Sequence, residues 1–328
     1  QRRMEFGQTH SIVRSYMAHH HGMSLVSLGI ALERRHAVSR FTSDPRVRAC
    51  ELLLQERVAT EIEIEFPTSF AQEASEQAAE DAPIIAPWSV NLDSPTPRVH
   101  LLSNGRLSVL ASSWGSGQTT WNDSAITRWH QDSTTERWGN WIYLQDAANN
   151  HLWSISRSPV KSQGQKERVR FHGHCVEYRR QDGDLIQTLE VAVSPWHDVE
   201  LRRLTLTNHG ERARTLRLTS YAEIVLADPK ADAQHPAFSN LFVHSEWLKD
   251  RSLLLFERRS REVDGEAPVV GELLMDMTGV LKPDGVETDR AAFLGRGGSL
   301  SRPESLVRNR SMKGKPGYSL DPVSALQK

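Results

Sequence analysis

Two runs of residues hold side chains capable of specific polar chemistry. The first is Ser15-Tyr16-Met17-Ala18-His19-His20-His21-Gly22-Met23, a phenol and three imidazoles in nine positions. Consecutive helical residues point about 100° apart, so His19, His20 and His21 cannot close on one metal ion. Metal-binding helices space their histidines at i and i+4, and no metal or cofactor is expected here. Two uses remain. The histidines are satisfied by local hydrogen bonds, or Tyr16, His19 and His20 line a pocket for a polyhydroxylated ligand, offering directional donors, acceptors and flat faces.

The second run is richer in aromatics. Trp114, Trp121, Trp129, Trp138, Trp141 and Trp153 fall within about forty residues, out of nine tryptophans in the chain. Core packing is the ordinary fate of an indole, because it buries a large apolar area. Trp121, Trp129 and Trp138 stand instead where hydrophobic alternation is weak, among Asn122, Asp123, Arg128, Asp132 and Gly139. Indole faces stack on the C–H faces of a pyranose, while a carboxylate or guanidinium makes paired hydrogen bonds with vicinal hydroxyls. Trp121, Arg128, Trp129, Asp132 and Trp138 are therefore candidate sugar contacts. Arg128 and Asp132 equally suit a structural ion pair that fixes the loop. Catalysis at Asp123, Asp132 or Asp146 needs two facing carboxyl groups, one with a raised pKa, and spacing along the chain cannot supply that.

Three zones position these residues. Over 1–58 the apolar positions Ile12, Val13, Tyr16, Met17, Met23, Val26 and Ile30 recur at near-helical spacing. Asp44-Pro45 then gives a capping carboxylate and a first-turn proline, and Val47, Cys50, Leu54 and Val58 continue a second helix. Such a pair is too small for a domain, and its apolar faces need partners. Residues 59–96, rich in Ala, Glu and Gln and then in proline, read as a linker. Residues 97–328 read as strand after strand, an antiparallel β-sandwich. Leu185, Leu189, Val191 and Val193 share one parity; Val169, Phe171, Val176 and Tyr178 form a hairpin around Gly173. Val199 and Leu201 hold the opposite parity to Leu204 and Leu206, which predicts a β-bulge at Arg202-Arg203.

The 328 residues are 25% charged with a formal net charge of −1, which argues against a dedicated nucleic-acid binder with its basic stripe. Cys50 and Cys175 lie far apart and read as unpaired thiols. No run approaches the ~20 apolar residues of a membrane-spanning helix. No signal-peptide pattern opens the chain, and Gln1 with a motif already under way predicts a piece of a longer protein.

The run Val13-Arg14-Ser15-Tyr16-Met17-Ala18-His19-His20-His21-Gly22-Met23-Ser24-Leu25 resembles a signature near the end of the glycoamylase-like domain of cyclic β-1,2-glucan synthases. Arg40-Phe41, Asp44-Pro45-Arg46-Val47 and Glu51-Leu52-Leu53-Leu54-Gln55-Glu56-Arg57 resemble the stretch immediately after that signature in the same family. The family usually has glutamine where His21 stands. Leu101-Leu102-Ser103-Asn104-Gly105, Trp121, Thr127-Arg128-Trp129, Asp132, Gly139, Tyr143-Leu144, Asp146 and Trp153-Ser154 resemble the amino-terminal sandwich of family 94 glycoside phosphorylases, formerly glycosyltransferase family 36. Phe293-Leu294-Gly295-Arg296-Gly297-Gly298-Ser299-Leu300, Arg302-Pro303 and Leu320-Asp321-Pro322 fit its ending.

The resemblance implies a mainly β fold, a supersandwich of carbohydrate-binding type over 97–328, preceded over 1–58 by the helical tail of a truncated α/α barrel. It implies a bacterial parent in the inner membrane, these domains on its cytoplasmic side, with the present chain a soluble piece of it. A β-glucan oligosaccharide or polysaccharide and the remaining domains of the parent are the expected partners. Chemistry is expected in those other domains, and no catalytic residue is assigned in this chain, whose own activity stays open. Two alternatives stay open: a structural or homodimerising β-module without glucan affinity, and a small independent hydrolase.

Overall fold

The structure, a computed structural model, describes residues 18–32, 36–44, 47, 86–130, 134–259, 268–308 and 312–328. The chain divides into two compact units, Gln1–Ala82 and Pro83–Lys328. In the first unit α1 spans Ala18–Leu32 and α2 spans His36–Thr42. α1 buries none of its residues, and Met23, Leu25, Val26, Leu28 and Leu32 are exposed. The second helix predicted from Pro45 lies almost wholly outside the described residues.

Period-two alternation broken by turn residues yields nineteen strands among the described residues of the second unit. The first five are β1 (Trp88–Val90), β2 (Val99–Ser103), β3 (Leu107–Ser112), β4 (Gly117–Trp121) and β5 (Ser124–Thr127). Next come β6 (Trp141–Asp146), β7 (Leu152–Ser154), β8 (Lys166–Phe171), β9 (Cys175–Asp182), β10 (Leu185–Val193), β11 (Glu200–Asn208) and β12 (Leu216–Ala227). The short helices α3 (Pro229–Gln234) and α4 (Pro236–Asn240) come after them. The rest are β13 (Val243–Leu248), β14 (Leu253–Arg258), β15 (Val269–Glu272), β16 (Leu274–Asp276), β17 (Gly279–Leu281), β18 (Gly285–Asp289) and β19 (Pro322–Gln327). Helices α5 (Arg290–Leu294) and α6 (Glu304–Val307) lie between the last two strands.

The strands form a five-stranded sheet, β1-β8-β9-β10-β11, a nine-stranded sheet, β18-β19-β12-β5-β4-β3-β2 with β6 and β7 joined through β12, and two small sheets, β13-β14-β15 and β16-β17. Their pairings are antiparallel. The predicted mainly β, antiparallel sandwich is what forms. β1, inside the stretch expected to be linker, belongs to the first sheet through its pairing with β8.

The two large sheets meet over a core of Leu102, Val109, Ile142, Leu144, Trp153, Val169, Phe171, Val176, Tyr178, Leu185, Leu189 and Val191. Each such side chain contributes about 1.5–3 kcal/mol by leaving water. The far face of the larger sheet is also covered. Trp141, Tyr143 and Tyr221 pack with Phe293, Leu294 and Leu306 of α5 and α6. Ile126, Ile224 and Leu226 pack with Val243, Leu254 and Phe256 of β13 and β14. Burial on both faces explains why all six residues of β6 are buried, against the usual alternation.

The bulge predicted at Arg202-Arg203 is absent. β10 and β11 pair without interruption from Leu185↔Asn208 to Val193↔Glu200. Glu200 and Arg202 both turn inward, where Arg202 Nε donates to Glu200 Oε1 at 2.5 Å and Nη1 donates to the Asn140 carbonyl at 2.7 Å. An inward ion pair thus takes the place of two apolar residues, while Leu201 and Leu206 are exposed. Register shifts do occur elsewhere, between Glu287 and Asp289 of β18 and, in β12, between Ile224 and Ala227 against β5. There buried Leu226 adopts a left-handed φ of 54°.

Candidate functional site

β5 separates the predicted sugar contacts. Trp121 ends β4 before it, and Arg128 and Trp129 come directly after it. Four strand residues at about 3.3 Å each put roughly 13 Å between these places. Trp121 therefore does not join Trp129 and Trp138. It packs partly on the Ile126–Ile224 core, and its Nε1 donates to Asp198 Oδ2 at 2.8 Å.

Arg128 is 6% exposed and sits among three carboxylates. Nε and Nη2 donate to Asp232 Oδ2 and Oδ1 at 3.0 and 3.1 Å. Nη1 donates to Glu223 Oε2 at 3.2 Å and Asp321 Oδ1 at 3.1 Å, and Nη2 also donates to Asn240 Oδ1 at 2.7 Å. A guanidinium has five N–H groups, and all five are engaged. Burial by itself would lower the Arg128 pKa, but the Asp232 hydrogen bond and the charges of Asp232, Glu223 and Asp321 outweigh it and raise it. Arg290 completes the cluster, its Nε donating to Glu223 Oε1 at 2.7 Å. Tyr221 Oη donates to the same oxygen at 3.1 Å. Burial, then the Glu223 charge, pushes the Tyr221 phenol well above its usual range.

Every N–H of Arg128 is engaged within the protein, the arrangement of the structural ion pair that the sequence also allowed, with Asp232 in the place expected for Asp132. The carboxylate partners of Arg128 are Glu223 of β12, Asp232 of α3 and Asp321 beside β19. Asp228 caps α3 through the Lys230 and Ala231 N–H groups, with Pro229 at the first helical position, and so delivers Asp232.

Trp129, His130 and Trp138 are half-exposed, and of the three His130 approaches this cluster. The His130 and Trp138 rings meet edge to face, centroids 5.0 Å apart at 80°. His130 Nε2 lies 4.0 Å from Asp232 Oδ2. The Trp138 carbonyl accepts the Gly117 N–H at 3.0 Å, tying its loop to β4. Asp132 and Tyr16 lie outside the described residues. His19 and His20 are exposed on α1, their rings 4.2 Å apart at 70°. Trp141 and Trp153 are core residues.

Residues 85–328 match the family model "Glycosyl hydrolase 94, supersandwich domain". The chain belongs to this family. The supersandwich is thus a domain of carbohydrate-active enzymes, as the sequence resemblance implied. Cyclic beta-(1,2)-glucan synthase NdvB of Rhizobium meliloti (strain 1021) is 33% identical over 330 residues, 99% of this chain and 12% of the relative. Solabiose phosphorylase of Paenibacillus borealis is 25% identical over 228 residues, 66% of this chain and 28% of the relative. N,N'-diacetylchitobiose phosphorylase of Vibrio proteolyticus is 24% identical over 152 residues, 45% of this chain and 19% of the relative. The chain accordingly spans less than a third of the length of each of these relatives. No helix among the described residues is long and apolar enough to cross a membrane.

The supersandwich also carries an open groove of about 940 Å³, lined by residues that include Asp146, Asp182, Asp184, Glu211, Arg212 and Arg214. No aromatic side chain lines it among the described residues. Arg214 and the Ala148 N–H hold the Asp146 carboxyl below the usual range, opposite to what a general acid needs. Among the described residues the carboxyl pushed upward is Glu287, by burial, and its Oε1 already accepts the Thr288 and Asp289 N–H groups. A depressed pKa stabilises the fold above the unfolded-state value of about 4, and that contribution is lost as pH falls through the folded value. In Asp146→Asn the Ala148 contact survives and the Arg214 charge pair does not. The variant should lose about 1 kcal/mol at neutral pH. Its deficit should shrink below about pH 4, as urea unfolding across pH will report. A deficit independent of pH would assign the effect to packing.

Proposed function

We propose that this supersandwich binds or positions a β-glucan chain for glycosyl transfer or phosphorolysis carried out by other domains of a cyclic β-1,2-glucan synthase-like enzyme. In this reading 1–58 is the helical tail of a glycoamylase-like domain, 59–96 leads from it, and the parent resides in the bacterial inner membrane. The observation that carries the proposal is the half-exposed His130–Trp138 ring pair beside the buried Arg128 cluster, with half-exposed Trp129 between Arg128 and His130 in the chain. Rigid aromatic faces lose little freedom on binding, so more of their contact energy reaches the complex. Arg128 acts by positioning Trp129 and His130, the next two residues in the chain.

Calorimetric titration with linear β-1,2-gluco-oligosaccharides tests this. Trp129→Ala and Trp138→Ala should each weaken binding about three- to ten-fold with unfolding curves unchanged in shape. No heat at millimolar ligand would sink the proposal. One observation favours a packing or dimerising module instead: β11 is an edge strand with Leu201 and Leu206 exposed. A dimer in sedimentation, without glucan heat, would select it.

A further inference from the structure

The end of the sandwich that holds Trp121 also displays an indole in water. The β10–β11 turn, Ser194-Pro195-Trp196-His197-Asp198, holds Trp196 81% exposed. On a loose loop such an indole would be unremarkable, but this turn is braced from three sides. Asn104 Nδ2 donates to the Ser194 and His197 carbonyls, both at 3.0 Å. Ser194 Oγ accepts the Trp196 and His197 N–H groups at 3.4 and 3.3 Å. Asp198 accepts from Trp121 Nε1 through one oxygen and pairs with Arg106 at 3.2 Å through the other. The neighbouring turns are joined to each other as well, since the Asn122 N–H donates to the Arg106 carbonyl at 2.8 Å.

None of these bonds involves the Trp196 side chain, so the turn would keep its shape with alanine there. The indole is therefore surplus to folding and pre-positioned for contact. The same group of joined turns exposes His197, Asn122 and Asp123 and the largely exposed Arg106 side chain. That mixture of donors and acceptors beside one flat apolar face matches a hexopyranose, apolar on its C–H face and hydroxylated at its rim.

We propose that this turn cluster is a second saccharide-binding surface, with Trp196 as its platform and a hexopyranose ring of a β-glucan as its ligand. It rests on the reading that this module handles glucan. It adds a contact at the other end of β5 from Trp129, suited to holding a longer chain.

Indole N–H resonances of the ¹⁵N-tryptophan-labelled chain, titrated with short and long linear β-1,2-gluco-oligosaccharides, test it. The Trp196 signal, identified by its loss in Trp196→Ala, should shift, and should still shift in Trp129→Ala/Trp138→Ala. Trp196→Ala should weaken binding of the longer chains about five-fold. Shifts confined to Trp129 and Trp138 would overturn the second surface and leave the first standing. Shifts confined to Trp196 would do the reverse. No shift at any indole would overturn both. Concentration-dependent broadening of Trp196 without sugar, together with a dimer in sedimentation, would make the turn a protein contact and overturn the inference.

Discussion

Replacing Arg128 with methionine will cost the supersandwich about 3–5 kcal/mol, because removing one partner of a buried ion cluster leaves the others charged and unpaired. Glu223 and Asp232 are 5% and 4% exposed at their side chains, so water cannot take over the lost bonds. For a unit of this size the thermal midpoint should fall by roughly 10 °C. Arg290 reaches Glu223 and Asp321 rather than Asp232, so Asp232 is the carboxylate left worst off. Asp232→Asn added to Arg128→Met should therefore recover part of the loss. Arg128→Lys should fall short of wild type as well, since an ammonium cannot make the two-pronged contact to Asp232. Urea unfolding of the four proteins checks this. A loss under about 1 kcal/mol for Arg128→Met would mean that the cluster is hydrated and does not fix the Trp129 loop.

The difference between strand and cluster shows what a sequence can and cannot reveal. The β8–β9 hairpin and β10 are legible because parity alone places Val169, Phe171, Val176, Tyr178, Leu185, Leu189 and Val191 in the core, and all are buried. β11 misleads because its inward face holds Glu200 and Arg202, whose mutual bond satisfies charges that a hydrophobic pattern counts as outward. The structural ion-pair role of Arg128 is legible as one of two readings, but its partners are not. Glu223 and Asp321 lie 95 and 193 residues away from Arg128, and no local spacing announces them. Weak alternation marks Trp129 and Trp138, and the same signal groups Trp121 with them, because a four-residue strand is too short to show as a separator. Trp196 carries a usable signal of a different kind: proline and tryptophan together in a turn that follows a strand of clear parity, β10.

Gly117→Ala should be as damaging as any core truncation, and it links stability to the candidate site. Gly117 opens β4 opposite Ala111 of β3. A Cβ there would intrude on the Leu110 carbonyl oxygen and lie 3.4 Å from the Ala111 Cα. Both obstacles are backbone, so no side chain can swing away and the β3–β4 pair must open. On the other side the Gly117 N–H holds the Trp138 carbonyl, and the Trp138 loop is itself tight. A Cβ at Gly139 would stand 2.9 Å from the Trp141 ring and 3.1 Å from the Ser116 Cα. The expected loss is about 3 kcal/mol or more, at the upper end of overpacking costs. Gly173→Ala is the control: no atom lies within 4 Å of its added Cβ, so it should stay within about 0.5 kcal/mol of wild type. The Trp138 indole signal should move in Gly117→Ala and not in Gly173→Ala, and affinity for β-1,2-gluco-oligosaccharides should fall only in the former. If Gly117→Ala were as stable as the control and bound sugar normally, the β3–β4 packing would not be what holds Trp138 in place.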